Sequence, residues 1–533
     1  MSKDTFIKGA LILTIAGVVV KVIGAVNRIL LSRLLGGEGI GLYQLAYPIY
    51  LLALSISSAG IPVAISILVA EKVALKDYRG ANKVFRLSLM VLAVLGSIFT
   101  GLLWFGAQWL IDWHFIRDPR AYYAILALAP AIFFVTILSS YRGYFQGLQM
   151  MVPSAISQIA EQLLRVATMI VLAYMLLPKG IEYAAAGATF GAAPGAVFGL
   201  LVLLYFYYRK RAYFKEQMQM QTTTGGDSSG RIIYRIIELA IPVSLASIMV
   251  PIVANIDLLI VPARLEVAGC TTEQATELYG YLTGMAVSLI NLPTILTASL
   301  AASLVPAISE AYTLGNQATI INRTSTAMRL TMLICFPSFV GMWLLATPIS
   351  RMLYGTPNAG TSIAILSLGI VFLGIHQTTT GVLQGLGRTG IPVKNLVFSA
   401  VVKIILSYIL TAIPGLGIKG AAWATVADFF FAAILNIYWT GRLIGFTIDV
   451  RETIKALVAV SVMGVVVLYC YNYALHLSAS NTFGTITAIG AGAVTYGIVL
   501  LLVGGVNGND IGMIPLYGNE LAKFLKKMGL LRG

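Results

Sequence analysis

The chain has 533 residues and a formal net charge of +15, yet only 11% of its residues are charged and 58% are hydrophobic. A water-soluble protein carries about 25% charged residues, so the composition excludes a string of soluble domains. Apolar runs long enough to cross the ~30 Å hydrocarbon core as helix recur from end to end. The short alternating segments of a membrane β-barrel are absent, and the chain reads as an all-α polytopic membrane protein.

Fourteen spans are predicted, at 5–33, 41–70, 84–111, 121–147, 154–177, 184–208, 232–263, 279–306, 324–350, 361–387, 393–413, 418–440, 453–476 and 483–505. Lys3 and Lys8 precede a first run too long for a secretory leader and lacking a small-residue cleavage site, so it is an uncleaved helix. Helix breakers in the second, seventh and eighth spans either interrupt them or are ordinary proline kinks: Gly60 with Pro62, Pro242 and Pro251, and the stretch from Asn291 to Thr294. The connector 209–231, RKRAYFKEQMQMQTTTGGDSSGR, reads as a solvated cytoplasmic linker. The organisation is therefore a six-span lobe at 1–208, the linker, a second six-span lobe at 232–440, two further spans at 441–505, and a basic tail at 506–533. The tail's amphipathic KFLKKMGLLR is placed on the inner membrane surface.

Lysine and arginine fall mostly in the connectors of one side, among them Lys72, Lys76, Arg79, Lys83, Arg142, Arg209, Lys210, Arg211 and Arg388. The positive-inside rule puts that side, and both termini, in the cytoplasm of a plasma membrane. The basic charge thus follows from topology and the anionic inner leaflet, and implies no nucleic-acid partner. Lys21, Arg28, Arg165 and Lys403 are left over within the spans.

Two phrases repeat. Gln146-Gly147-Leu148 matches Gln384-Gly385-Leu386, Pro153 matches Pro392 with one extra residue, and each glutamine is followed at the same distance by a cation, Arg165 or Lys403. GIPVAISILVAE corresponds loosely to SLAASLVPAISE. Spans 1–6 and 7–12 look like two copies, and an even number of spans per copy makes the repeat parallel, with a pseudo-two-fold along the membrane normal.

A charge at the bilayer centre costs at least ~2.5–3.5 kcal/mol and faces a bundle interior or a wet cavity. Lys21 and Arg28 share a helix face with Gly17 and Gly24. Gln158, Glu161, Gln162 and Arg165 form a polar stripe, and Ser399, Lys403 and Ser407 form another. Glu161 and Arg165 either neutralise each other or take part in coupling. Asp257 and Arg264 pose the same choice, and His376 in GIHQTTTG is either a satisfied structural histidine or a proton relay. Lys21, Arg28 and Lys403 either snorkel to an interface or line a cavity. Embedded cations exceed the evident carboxylates Glu161, Asp257 and Asp428, so a cavity they line attracts an anion, with phosphate and pyrophosphate the suited chemistry.

No P-loop, HExxH or GxSxG motif occurs. Cys270, Cys335 and Cys470 have neither metal nor redox spacing. The expectation is a transporter without cofactor or metal rather than an enzyme.

KGALILTIAGVVVKVIGAVNRILLSRLLGGEGIGLYQLAYPIYLLALSISSAGIPVAISILVAE, YRGYFQGLQMMVPSAISQIAEQLLR and LLPKGIEYAAAGATF together resemble the group of stage V sporulation B-type proteins and MurJ-type lipid II flippases. That group lies within the multidrug/oligosaccharidyl-lipid/polysaccharide exporter superfamily. The resemblance implies two six-helix lobes plus two C-terminal helices, and transport of an undecaprenyl-linked sugar pyrophosphate, with lipid II the leading candidate, from inner to outer leaflet for wall or spore-cortex peptidoglycan. It implies pyrophosphate contacts by cavity cations and wall-synthesis proteins as partners. The group's first-helix cation pattern appears as Lys21, Asn27 and Arg28, and its second-helix arginine has no counterpart in YLLALSIS. Two other readings are an antiporter of cationic drugs from the same superfamily and a non-transporting scaffold of a wall-synthesis complex.

Overall fold

The computed structural model describes residues 3–58, 60–220, 227–447 and 449–505. The basic tail expected at 506–533 lies outside them, as does the centre of the 209–231 connector. The described residues are helical almost throughout: α1 Lys3–Ser58, α2 Ile61–Ala74, α3 Tyr78–Asp112, α4 Tyr122–Gly147, α5 Met151–Leu176, α6 Ile181–Phe190, α7 Ala192–Met220, α8 Ser229–Val267 and α9 Thr272–Tyr279. After a π-helical turn at Gly280–Ala286 come α10 Val287–Thr313, α11 Gln317–Leu344, α12 Ala346–Tyr354, α13 Gly360–Gly385, α14 Gly390–Leu410, α15 Ile418–Ile444, α16 Val450–Ser478 and α17 Asn481–Val503. Short polar side chains start several of them. Asp77 accepts from the Gly80 amide at 2.8 Å, Asn316 from Thr319 at 3.0 Å, and Thr271 forms a capping box with Gln274.

Among the described residues, 13 helical stretches are long and apolar enough to cross a membrane. The first, Ile12–Ala74, has 63 residues, and as a straight rod would be ~95 Å long, about three times the hydrocarbon thickness. It is not straight. Gly36 sits at φ 65°, ψ −168°, a conformation essentially confined to glycine. Arg28 and Tyr43 would be ~22 Å apart along a straight helix, yet the Arg28 guanidinium lies 5.0 Å from the Tyr43 ring centroid. The chain turns back at Gly36, and this stretch holds two crossings.

Several boundaries differ from the sequence reading. The connector expected at 34–40 shrinks to the Gly36 turn, whereas the second predicted span is cut at Gly60, as the interrupting reading expects, with Pro62 in the first turn of α2 where its missing N–H costs nothing. Pro242, Pro251 and Pro293 do not interrupt: α8 and α10 run through them. Hydrocarbon punishes an opened backbone more than the loss of a single ladder bond. The predicted sixth span divides at Gly191 into α6 and α7, the ninth at Leu345 into α11 and α12. Arg209, Lys210 and Arg211 continue α7 rather than start a loop.

The chain forms two compact units, Met1–Gly284 and Met285–Gly533. In the first, α2, α3, α4 and α7 close on Ile65, Leu68, Phe85, Leu92, Leu138 and Phe145, with Phe85 4.4 Å from Tyr144 and 5.0 Å from Tyr141, ring to ring. The start of α8 is tied to the same bundle. Asp227 accepts from Lys72 at 2.8 Å and Arg235 donates to Glu71 at 2.9 Å. The bulk of α4 also presses on α2: a Cβ at Gly143 would lie 2.6 Å from the Pro62 carbonyl oxygen, and one at Gly147 2.8 Å from that of Ser66. The second unit repeats this contact. A Cβ at Gly381 would lie 2.7 Å from the Ala301 oxygen and one at Gly385 2.8 Å from that of Val305. Small residues one helical turn apart let apolar helices approach backbone to backbone.

Candidate polar cavity in the first unit

The Gly36 turn sets one wall of a cavity against another. Gly24, Asn27, Arg28 and Leu31 come from the arm of α1 before the turn, and Tyr43 and Tyr47 from the arm after it. Gln162, Arg165 and Met169 of α5 complete a space of about 170 Å³, room for about six waters or one small anionic group at ~30 Å³ per water. Asn27 is buried, and its Nδ2 donates to Met169 Sδ at 3.4 Å. Arg28 Nη1 donates to Gln44 Oε1 at 3.3 Å while its guanidinium covers Tyr43, and Tyr43 stacks on Tyr47 with centroids 5.2 Å apart. Asn27 Oδ1 and Arg165 Nε are buried without a hydrogen-bond partner, so the lining offers both an acceptor and a donor.

Behind this lining, Glu161 takes two arginines. Arg142 Nη2 donates to Oε2 at 2.8 Å and Arg165 Nη2 to Oε1 at 3.3 Å. The side chains are 14% exposed for Glu161 and 17% for each arginine. The i,i+4 pair expected from the sequence therefore exists, but it is not self-neutralising, because a second guanidinium shares its carboxylate. Arg142 corrects the sequence reading, which placed it among the cytoplasmic connector charges. It lies within α4, held on Ser157 and Glu161 of α5. The repeat gave no signal for it: the matching position of the second copy is the neutral Thr380. Tyr43, Gln44 and Tyr47 were also missed, since only the turn at Gly36 brings them to Arg28.

Of the four cations left within spans, Arg28 and Arg165 line this cavity together. Lys21 is exposed on the same arm as Arg28 and is not part of the lining. Lys403 belongs to the second unit and is buried there; Ser399, one turn before it, donates to the buried Asp428 of α15 at 2.6 Å. Asp257 and Arg264 are half-buried on α8, where the neighbouring Asn255 donates to the carbonyls of Pro48 and Pro251, each at 2.8 Å. His376 lies in a neutral network: Asn436 Nδ2 is 3.2 Å from its Nδ1 and donates to Thr380 at 2.9 Å, while Asn395 donates to Asn436 at 2.8 Å. Among the described residues no group of three His, Cys, Asp or Glu side chains is placed to hold a metal ion.

The polysaccharide biosynthesis protein family matches residues 6–312, and the MatE family matches residues 282–409. Stage V sporulation protein B of Bacillus subtilis (strain 168) is 33% identical over 523 residues, 98% of this chain and 100% of the relative. Lipid II flippase MurJ of the same organism is 27% identical over 479 residues, 86% of this chain and 87% of the relative. Among solved structures, an inward closed conformation of lipid II flippase MurJ superposes with a TM-score of 0.67 at 16% identity, covering 92% of this chain and 98% of that one. At that identity the superposition establishes the fold.

Proposed function

The chain belongs to the polysaccharide biosynthesis protein family, and on that premise we propose that it carries a lipid-linked saccharide across a bacterial plasma membrane by alternating access. The headgroup would enter from the inner leaflet and leave at the outer one, with both termini cytoplasmic. Lipid II is the substrate we favour, in view of the relatives' names. The observation that carries the reading is the charge in and behind the cavity: Arg28 and Arg165 line it, Arg142 stands behind, and Glu161, the carboxylate there, is already shared by Arg142 and Arg165. A surplus of guanidinium in a water-poor setting favours a diphosphate, which accepts several charge-assisted hydrogen bonds at once.

Arg28 and Arg165 would grip the diphosphate, and Tyr43 and Tyr47 would back it with an aromatic wall. Lys21, exposed on the same arm, would meet the headgroup earlier on its path. Lys403, buried near Ser399 and Asp428, is better suited to holding the second unit together. No covalent step is involved; the chain acts as a transporter, with the two helices α16 and α17 added to a pair of six-span lobes, and wall-synthesis proteins as the partners that use its product.

The test is complementation of flippase-depleted cells, with outer-leaflet lipid II measured. Wild-type chain should restore it, and Arg28→Ala and Arg165→Ala should each cut it about 10- to 100-fold, as the loss of one or two charged hydrogen bonds implies. Restoration by the double variant at wild-type level would leave a scaffold role. The MatE match over 282–409 favours a second reading, export of organic cations. It predicts cation efflux from loaded vesicles, which the basic lining opposes.

A further inference from the structure

We infer that Arg142 is a positioning residue for the diphosphate site, engaging Glu161 so that the Arg165 guanidinium stays available to the cavity; this rests on the anionic substrate proposed above. Arg142 does not line the cavity. It donates to Glu161 at 2.8 Å, within the range of charge-assisted bonds, whereas Arg165 reaches the other carboxylate oxygen at 3.3 Å, outside it. The same Nη2 of Arg142 donates to Ser157 Oγ at 3.0 Å, and Ser157 directs its own hydroxyl proton to the Gly199 carbonyl at 3.0 Å. The serine is thereby oriented as an acceptor, and Arg142 is anchored on two of them.

The roots of the pair are fixed by α7. A Cβ at Gly199 would lie 3.0 Å from Glu161 Cβ, and one at Gly195 2.8 Å from Arg165 Cβ, so α7 packs directly against the base of both side chains. Glu161 is thus met first by Arg142, and Arg165 keeps its charge for the cavity beside Arg28. Remove Arg142, and Glu161 keeps Arg165 as its remaining guanidinium, so their existing 3.3 Å i,i+4 contact tightens and draws Arg165 off the cavity. The cavity then loses a cation without losing a lining residue.

The experiment measures binding of undecaprenyl diphosphate to the full chain in lipid nanodiscs, with thermal unfolding recorded for every variant. Arg142→Gln should bind about tenfold more weakly or worse. Arg142→Gln/Glu161→Gln should return to within about threefold of wild type, because the competing carboxylate is gone. Adding Arg165→Gln should cancel that recovery. If the single variant does not fold, the double against the triple carries the test: binding that survives the loss of Arg165 overturns the inference. So does wild-type binding by Arg142→Gln, or binding that tracks unfolding temperature across the set. A wild-type chain that does not bind undecaprenyl diphosphate overturns the substrate reading itself, and the role of Arg142 with it.

Discussion

The two halves of the repeat keep the same backbone contact and fill it with different charges. In the first unit Gly143 and Gly147 of α4 press on α2; in the second Gly381 and Gly385 of α13 press on α10, against the equivalent carbonyls. One helix further, Glu161 and Arg165 of α5 correspond to Ser399 and Lys403 of α14. The carboxylate beside Ser399 comes from another helix, as Asp428 of α15, and Thr380 stands where the first unit has Arg142. The packing of the repeat is therefore a constraint common to both copies. Its polar groups are free to specialise, toward an excess of cations in one unit and toward a buried acid with its hydroxyl donor in the other.

The sharpest break of this comparison comes from the paired cations. Lys403 and Asp428 are both buried in the second unit, and Lys403→Ala should cost ~3–5 kcal/mol, the size expected when one of two buried opposite charges is removed. Adding Asp428→Asn should recover much of the unfolding temperature. Arg165→Ala should behave in the opposite way, staying folded because Arg142 still holds Glu161, while outer-leaflet delivery falls. Next in size are Gly143→Val and Gly381→Val, which drive a side chain into a carbonyl and should each cost about 1–3 kcal/mol or more, read as loss of monodisperse protein in detergent. Equal losses support equivalent contacts, and a tolerated Gly381→Val would break the equivalence.

The smallest effect belongs to the tether at the start of α8. The hydrogen bond and charge of Lys72 hold the Asp227 carboxyl below its ordinary value, against a weak opposing effect of burial. A depressed folded-state value means the tether stabilises above the ordinary carboxylate pKa of ~4 and is lost as pH falls through the lower folded one. Asp227 is 29% exposed, so the contribution is a few tenths of a kcal/mol. It should appear as a small drop in unfolding temperature from pH 7 to pH 3 that Asp227→Asn lacks.

The spans were legible because hydrocarbon imposes one length on every apolar helix, and the repeat was legible because its glycines and cations keep their spacing. The Glu161–Arg165 pair could be read from i,i+4 geometry alone. Arg142 could not. It lies near the end of an apolar run, where a cation is ordinarily a connector charge, and only its partners on α5 show otherwise. The prolines of α8 and α10 left two readings open for a related reason: their breaking power is calibrated in water, which would solvate the freed carbonyl. The Gly36 turn occupies a single residue, shorter than any loop that composition can reveal.

That one-residue turn has a mechanical corollary. Asn27 and Arg28 sit on one lever and Tyr43 and Tyr47 on the other, joined at a single pivot, so the gap between them is governed by one pair of backbone torsions. Arg28 stands ~12 Å from the pivot; a swing of about 10° there carries its guanidinium about 2 Å, enough to trade a firm grip on a phosphoryl oxygen for an open jaw.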